Sequence, residues 1–433
     1  MIKKYFIQAL NLIKQNLLFS GFYIVGTGLA ISMVMLLAVI YYIKVAGIYP
    51  EANRSRMMVA SSVHMQNIDD PGSNSTGSIS YNLVKDCFYG LEKVEAVSAI
   101  GVGLTGEGYV KMPDSKHRIP TFPKAVDVAF WKVFDFRFVD GTPFTDSDFA
   151  SGIRKAVVSE ELAQRVFHSS KVVGKYITLD FLEYKICGVV KTPSYATELS
   201  YAQIWIPYTC VPNYDKGNYI GAIGGYQVVV LARLTDDFEA IKVQVDDFTR
   251  KFNAVSHDGY QLLWHGQPYA YWKNLFKVDD MTDLDFMKIS RQIGWILLML
   301  LLVPALNLSG MISSRIEKRL PEIGVRKAFG ATSWVLFSQI IWENLVLTVM
   351  GGLLGLFVTY IMVLFSKNWL LTLLDNNVKA MPDGVEMSIT PQMLLNPSLF
   401  LGAFLICVIV NLLSAVVPAC LALRKDIVYV INK

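Results

Sequence analysis

Four long apolar stretches divide the chain into segments that suit lipid and segments that suit water. The predicted spans cover residues 19–43, 290–313, 334–365 and 398–423, and each is long enough to cross roughly 30 Å of hydrocarbon. The segment 44–288 carries most of the charge and all five histidines. The pattern predicts a membrane protein with four transmembrane α-helices and an α+β extracytoplasmic domain inserted between spans one and two.

Basic residues flank these spans asymmetrically. They precede span one, fill the link between spans two and three, and follow span four. Under the positive-inside rule these three regions are cytoplasmic, as are both termini and the tail 424–433. The domain and a short loop at 366–397 then lie on the periplasmic side. A cleaved signal peptide is disfavoured because the first apolar core is too long and no small-residue cleavage site follows it.

Residues 1–18 place apolar side chains at helical spacing, with lysine, asparagine and glutamine opposite. This pattern predicts an amphipathic helix on the inner surface of the membrane lipid. A plain cytoplasmic extension of span one is the alternative interpretation.

The segment 44–288 alternates strand and helix patterns. Lys155–Ser159 and Tyr226–Leu231 are β-branched runs, whereas Glu160–Phe167 and Asp237–Phe252 have helical periodicity. Gly174–Val190 is typical of a hairpin. These alternations indicate the α+β fold.

Nothing in the domain's sequence indicates an enzyme. Gly101–Gly106 fits GxGxxG, but no helix pattern follows that could bind a pyrophosphate. The histidines lack metal-ligand spacing, and the cysteines make no disulfide framework, although one bridge among Cys87, Cys187 and Cys210 stays open. The net charge of +4 is too small to indicate nucleic-acid binding. We therefore predict no catalytic residue, no metal and no cofactor on this chain.

The link 314–333 has the pattern of a short, capped helix. Pro321 suits a first helical turn, and Glu322 suits the positive N-terminal end of the helix dipole. Arg326 and Lys327 suit the C-terminal end, and Gly330 suits a left-handed stop. Two membrane helices need no such rigid element merely to reverse direction.

The same link places apolar side chains near water, beyond what anchoring by positive charge requires. They are Ile316, Leu320, Ile323, Val325 and Phe329. An exposed apolar set rimmed by charge predicts a docking surface for a cytoplasmic partner.

The run Arg319–Ala331, RLPEIGVRKAFGA, is similar to the R-x-x-EIG-[IV]-RKA-[LF]-GA signature of the MacB/FtsX permease family. The likeness extends to Gln339–Glu343, to Gly351–Gly355 and to the outer segment Phe134–Phe144. The resemblance implies that 314–333 is the coupling helix of an ABC transporter and that the domain has an inserted portion at about 120–208. The implied ATPase-coupling residues are Arg319, Pro321, Glu322, Ile323, Gly324, Arg326, Lys327, Phe329 and Gly330.

The resemblance also implies the partners and the role. Such a chain is a membrane subunit of the bacterial inner membrane that works as a homo- or heterodimer with separate cytoplasmic ATPase subunits, which bind ATP and Mg²⁺. The chain has no GxxxxGK[ST] phosphate-binding loop, which agrees with ATP binding by a separate subunit. The expected function is export of a small molecule or peptide with a periplasmic adaptor. The alternative is force transmission without transport, to activate a periplasmic cell-wall hydrolase or to extract lipoproteins. A sensor is a third, less favoured class, because no cytoplasmic signalling domain is present.

Small and polar residues within the spans predict helix contacts. Small residues spaced by four allow close approach, either within a protomer or across a dimer. The residues concerned are Gly26 and Ala30 in span one and Gly351 and Gly355 in span three.

Three polar side chains fall within the spans, namely Asn307, Glu343 and Asn411. A carboxylate inside a span is costly without a partner, so Glu343 is expected to have one. The alternative is that Glu343 lies close enough to the cytoplasmic interface to stay solvated. The two asparagines are expected to form hydrogen bonds between helices.

Overall fold

The computed structural model describes residues 17–102, 104–106, 108–112, 117–216, 221–255, 259–274, 285–365 and 397–423. The described residues form two compact units, a helical unit (17–42, 286–365 and 397–423) and a domain unit (43–285). The predicted amphipathic helix before residue 17, most of the loop 366–397 and the tail 424–433 lie outside the described residues.

The secondary structure alternates within the domain unit and is helical elsewhere. The helices are α1 Leu17–Val45, α2 Tyr81–Leu83, α3 Phe130–Val133, α4 Asp146–Ala150, α5 Glu160–Phe167, α6 Phe238–Ala254, α7 Tyr271–Asn274, α8 Phe286–Lys318, α9 Leu320–Ala328, α10 Ser333–Phe365 and α11 Pro397–Leu423. The strands are β1 Met57–Ala60, β2 Val63–Asn67, β3 Asn74–Gly77, β4 Val94–Gly101, β5 Gly108–Lys111, β6 Arg118–Thr121, β7 Pro123–Val126, β8 Phe138–Gly141, β9 Lys155–Ser159, β10 Tyr176–Leu179, β11 Leu182–Val190, β12 Ile204–Pro207, β13 Tyr226–Ala232, β14 Tyr260–Leu263 and β15 Tyr269–Ala270.

Among the described residues, three helical segments are long and apolar enough to cross a membrane. They are Ser20–Val45, Ser333–Val363 and Phe400–Leu421, and they correspond to predicted spans one, three and four. The helix α8 covers predicted span two and is 33 residues long, but it is not one of those three. A fourth span therefore stays a prediction.

Glycines allow α1 and α10 to approach closely within one chain. A Cβ atom built on Gly355 would lie 2.6 Å from the carbonyl oxygen of Gly28, and one on Gly351 would lie 2.9 Å from the Cβ of Thr27. Both distances are shorter than real Cβ contacts, so only glycine fits at these crossings. Gly26, by contrast, has no such neighbour within 4 Å, so α1 contributes Gly28 and not the predicted Gly26–Ala30 pair to this contact.

The domain unit is built on one 12-stranded sheet in the order β15-β1-β13-β4-β7-β12-β9-β11-β10-β5-β6, with β8 paired to β11. A smaller sheet has the order β14-β2-β3. One side of the large sheet packs on α5 and α6, and the other encloses an aromatic core around Phe130 and Trp205. The predicted strand 155–159 and helix 160–167 are confirmed as β9 and α5, and the predicted hairpin is β10–β11.

The strands within the predicted inserted portion, about 120–208, belong to the large sheet, through the pairs of β4 with β7 and β7 with β12. The hairpin β5–β6 joins the same sheet, because β5 pairs with β10. The bounds of the inserted portion stay a prediction. Cys87, Cys187 and Cys210 are free thiols.

Within the domain unit, a buried arginine binds the backbone carbonyl groups at the end of α1. The Nη1 atom of Arg54 donates to three carbonyl oxygens, those of Ile43, Lys44 and Ala46, at 2.7, 3.2 and 2.9 Å. The last carbonyls of an α-helix have no partner within the helix, so a side chain that binds them defines where the helix ends.

The charge of Arg54 is balanced by Glu51. The Arg54 Nε atom donates to the Glu51 carboxylate at 2.8 Å, and both side chains are fully buried. The same carboxylate accepts the Ser200 amide at 2.9 Å and the Tyr271 hydroxyl at 2.9 Å. The guanidinium lies 4.7 Å from the centroid of the Tyr271 ring. We call Glu51, Arg54, Ser200 and Tyr271 the Arg54 cluster; it joins the end of α1, the inserted portion and the segment that precedes α8.

We predict that Arg54→Met destabilises the domain unit by about 3–5 kcal/mol, because the Glu51 carboxylate would be buried without its cation. Arg56→Met is the matched control. Arg56 pairs with Glu95 at 2.7 Å near the surface, and such pairs contribute about 1 kcal/mol or less. Denaturant unfolding of the purified chain in detergent, followed by near-ultraviolet circular dichroism, gives both values. Equal losses in the two variants would contradict the prediction.

We also predict that Gly355→Ala destabilises the helical unit by about 1–3 kcal/mol, because the added methyl group forces α1 and α10 apart. Gly402→Ala in α11 is the control, since its Cβ would meet nothing within 4 Å. The control is expected to be neutral or slightly stabilising through helix propensity. Titration with sodium dodecyl sulfate, followed by far-ultraviolet circular dichroism, measures the difference. The prediction fails if the two variants unfold at the same detergent fraction.

Candidate functional site

Both ends of helix α9 match the start and stop signals in its sequence. Pro321 lies in the first turn, where its missing N–H is not needed, and Glu322 follows at the positive end of the dipole. At the other end Gly330 has a φ of +90°. The Ala331 amide donates to the Arg326 carbonyl at 3.0 Å, and the Gly330 amide donates to the Lys327 carbonyl at 3.1 Å. This pair of bonds is a Schellman motif, which confirms the predicted stop at Gly330.

Five polar side chains form a closed ring that ties α9 to α10. Arg319 donates to Glu343 at 2.7 Å and to Glu322 at 3.2 Å. Arg326 donates to Glu322 at 2.6 Å and to Gln339 at 2.8 Å. Gln339 completes the ring by donating to Glu343 at 3.0 Å. We call these residues the polar ring.

The ring fulfils the prediction that Glu343 needs a partner. The Glu343 side chain is almost fully buried, whereas Glu322 is half-exposed, so the Arg319–Glu343 pair is the less screened of the two. Burial lowers the pKa of Arg319, but the Glu343 and Glu322 carboxylates raise it more, so the pKa lies above its ordinary value. The guanidinium therefore stays charged at every physiological pH.

Beneath the ring lies an apolar contact. Ile316, Leu320 and Ile323 are buried with side chains of α10 and α11. The expectation that these three lie near water was wrong, because the end of α8 and one face of α9 pack against neighbouring helices, and the sequence of the link alone does not show that those helices lie there. Gly324 is buried on the same helix.

Only two members of the predicted apolar set remain exposed. Val325 retains 47% of its accessible surface and Phe329 retains 89%. Because α9 is held by both the ring and the apolar contact, these two side chains are presented from a fixed element. The exposed face is rimmed by charge, with Glu322, Arg326 and Lys327 on the same helix.

The remaining polar positions of the spans are only partly described. The side chain of Asn307 lies outside the described residues. Asn411 is buried, and its hydrogen bond to another helix stays a prediction. Gln339 was missed as a site residue, although its place one turn before Glu343 puts both on one helix face.

No group of three or more histidine, cysteine or carboxylate side chains could hold a metal ion in the part of the chain that the structure describes.

Comparison with known proteins gives two family matches. Residues 20–248 match the MacB-like periplasmic core domain, and residues 294–427 match the FtsX-like permease C-terminal region.

The relatives are distant in sequence. The chain is 22% identical over 297 residues to the uncharacterized ABC transporter permease YknZ of Bacillus subtilis, covering 69% of this chain and 70% of YknZ. It is 25% identical over 295 residues to the macrolide export ATP-binding/permease protein MacB of Pasteurella multocida, covering 68% of this chain but 40% of MacB. The solved extracellular domain of YknZ covers 47% of this chain, with 16% identity and a TM-score of 0.33.

We predict that Arg319 and Glu343 couple more strongly than Arg326 and Glu322. A double-mutant cycle to alanine should give about 1–3 kcal/mol for the buried pair. The exposed pair, four residues apart on α9, should give about 0.5 kcal/mol. Unfolding free energies of the purified chain in mixed micelles provide the four corners of each cycle. Equal coupling in the two pairs would show that burial does not strengthen the ring.

Proposed function

The chain belongs to the MacB/FtsX-type family of ABC transporter permeases, and on that basis we propose that it couples ATP hydrolysis by a separate cytoplasmic ATPase to movement of its periplasmic domain. The family assignment makes the chain a membrane permease with a MacB-like periplasmic α+β domain and places the ATPase on a partner. In the proposed arrangement α9 is the coupling helix and both termini are cytoplasmic. ATP and Mg²⁺ bind to the partner.

The observation that carries this proposal is the combination of a fixed helix with an exposed aromatic tip. Phe329 and Val325 project from α9, while the polar ring and the apolar contact hold the other side of the helix. A large apolar side chain near water lowers its free energy when a partner's pocket covers it, and the charged rim gives the contact its orientation.

A load applied to α9 has a direct route into the membrane helices. The polar ring links Arg319 and Arg326 of the link to Gln339 and Glu343 of α10. The glycine crossing then brings α10 against α1. The polar ring resists separation, because separation would leave a carboxylate buried without its cation, and the glycine crossing resists closer approach, because its atoms are already at minimum distance.

The route continues through α1 itself. Its last turn belongs to the domain unit, where Arg54 binds the carbonyls of Ile43 and Lys44. The Glu51 carboxylate in turn accepts hydrogen bonds from Ser200 of the inserted portion and from Tyr271. We propose that displacement of α1 reaches the periplasmic domain through this cluster. Such transmission requires two states that the ATPase distinguishes.

For the transported substrate we propose a small molecule or a peptide, exported from the periplasmic side. The support is the MacB relative, which is named a macrolide export protein. We further propose that two permease protomers act together with two ATPase subunits and that a periplasmic adaptor receives the substrate.

We predict that Phe329→Asp lowers the amount of ATPase that co-purifies with the permease by at least about tenfold, as expected when a hot-spot contact worth more than 1.4 kcal/mol is lost. The matched control is Leu234→Asp, an exposed apolar residue of the domain unit. The measurement is quantitative affinity purification of the permease with its ATPase, followed by ATPase assays in liposomes. The proposal fails if the Phe329→Asp permease still co-purifies with its ATPase and still stimulates ATP hydrolysis as the unchanged chain does.

A further inference from the structure

At the outer end of the sheet, one face keeps aromatic side chains exposed among the described residues. In β5, β10 and β11 the side chains alternate, so that Val110, Ile177 and Tyr184 are buried in the core. On the opposite face Tyr109 and Tyr176 keep 47% and 61% of their accessible surface. Packing of this fold does not explain why these aromatic side chains are left exposed on the sheet.

The same face carries three cations. Arg118 and Lys111 lie directly opposite each other on β6 and β5, and Lys185 lies opposite Tyr176. Among the described residues, none of these three cations forms an ion pair within 4.0 Å. Like charges directly opposite each other on neighbouring strands are destabilising, so the Arg118–Lys111 pair costs the fold free energy.

The hairpin turn between β10 and β11 adds an aromatic residue in an unfavourable backbone conformation. Asp180 and Phe181 have φ values of 46° and 71°, a region that favours asparagine and glycine at such turns. Phe181 is 79% exposed. The Arg118 guanidinium lies 4.7 Å from the centroid of its ring. The turn is fixed to β5, because the Tyr109 amide donates to the Asp180 carboxylate at 2.8 Å.

Folding thus explains neither the exposed rings nor the opposed cations, nor a phenylalanine in the left-handed region. Their composition is that of a binding surface, since tyrosine, phenylalanine and arginine are enriched where proteins meet. We define the aromatic-basic face by Tyr109, Lys111, Arg118, Tyr176, Phe181 and Lys185.

We propose that the aromatic-basic face docks an acidic surface of a separate protein. Among the described residues of these strands, the three cations of the face outnumber the one carboxylate exposed beside them, Glu183, and Asp180 is already bound to the Tyr109 amide. A face with Glu183 among its cations suits a protein, because a protein can present a basic residue to Glu183 and acidic residues to the cations. An anionic membrane or polysaccharide has no cation to pair with Glu183, so it matches the face less well. This inference does not depend on the ATPase docking at α9.

The test uses the full chain in the membranes of intact cells. A photo-crosslinking phenylalanine analogue replaces Phe181, or replaces the exposed Leu234 as the control position. We expect a discrete protein adduct at position 181 and not at 234. The crosslinked segment of the partner should be rich in aspartate and glutamate.

Lys111→Glu separates docking from folding. It places a carboxylate opposite Arg118, so the stability of the domain should hold or rise, while crosslinking at 181 should fall at least about tenfold. If Lys111 had a purely structural role, domain stability and crosslinking at 181 would change in the same direction. Lys251→Glu on α6 is the matched control and should leave crosslinking unchanged. Charge reversal of the crosslinked partner segment to lysine should restore the adduct with Lys111→Glu.

Three outcomes would overturn the proposal: no adduct at 181, an adduct that resists protease and proves to be lipid or polysaccharide, or a protein adduct indifferent to Lys111→Glu. If Lys111→Glu lowers the unfolding midpoint, Tyr176→Ser with unchanged charge is the second variant. Its crosslinking should fall, and unchanged crosslinking would count against the face.

Discussion

The structure depends on the burial of a charged guanidinium at the point where the first membrane helix ends. The carbonyl groups of the last helical turn need donors, and Arg54 supplies them. The free-energy cost of burying the Arg54 guanidinium would be prohibitive without an anion, because a buried unpaired cation loses its hydration. Glu51 is therefore obligatory, and its remaining lone pairs require Ser200 and Tyr271. A requirement at one helix end thus determines the position of chain segments that are far apart in sequence.

The link between α8 and α10 follows the same physical logic. Arg319 lies where α8 ends and α9 begins, and it too is paired with a buried carboxylate, Glu343. Each site pairs an arginine that lies at a helix end with a buried carboxylate, so neither partner can move alone without leaving a charge unpaired in a low-dielectric interior. Packed elements of this kind have a few discrete arrangements and do not deform continuously. Such behaviour suits a protein that belongs to an ATP-driven family.

Sequence reasoning predicted local features well, because local features depend on neighbours in the chain. The strand at 155–159, the helix that follows it and the Gly330 stop all follow from periodicity and caps. It failed where a partner came from elsewhere. The side chains of Ile316, Leu320 and Ile323 were assigned to water because the pattern of α9 does not show that α10 and α11 cover them. Likewise, the sequence pattern did not single out Arg54 and Glu51 within a long polar segment. It predicted that Glu343 has a partner but did not identify that partner.

The continuity of the 12-stranded sheet limits what the periplasmic domain can do. A hinge inside the domain would have to break the ladder of β4 with β7 or of β7 with β12, and each broken pair would leave backbone donors and acceptors unsatisfied. The described sheet is therefore continuous across both ladders, and a force applied at one of its edges is carried to the other through paired strands.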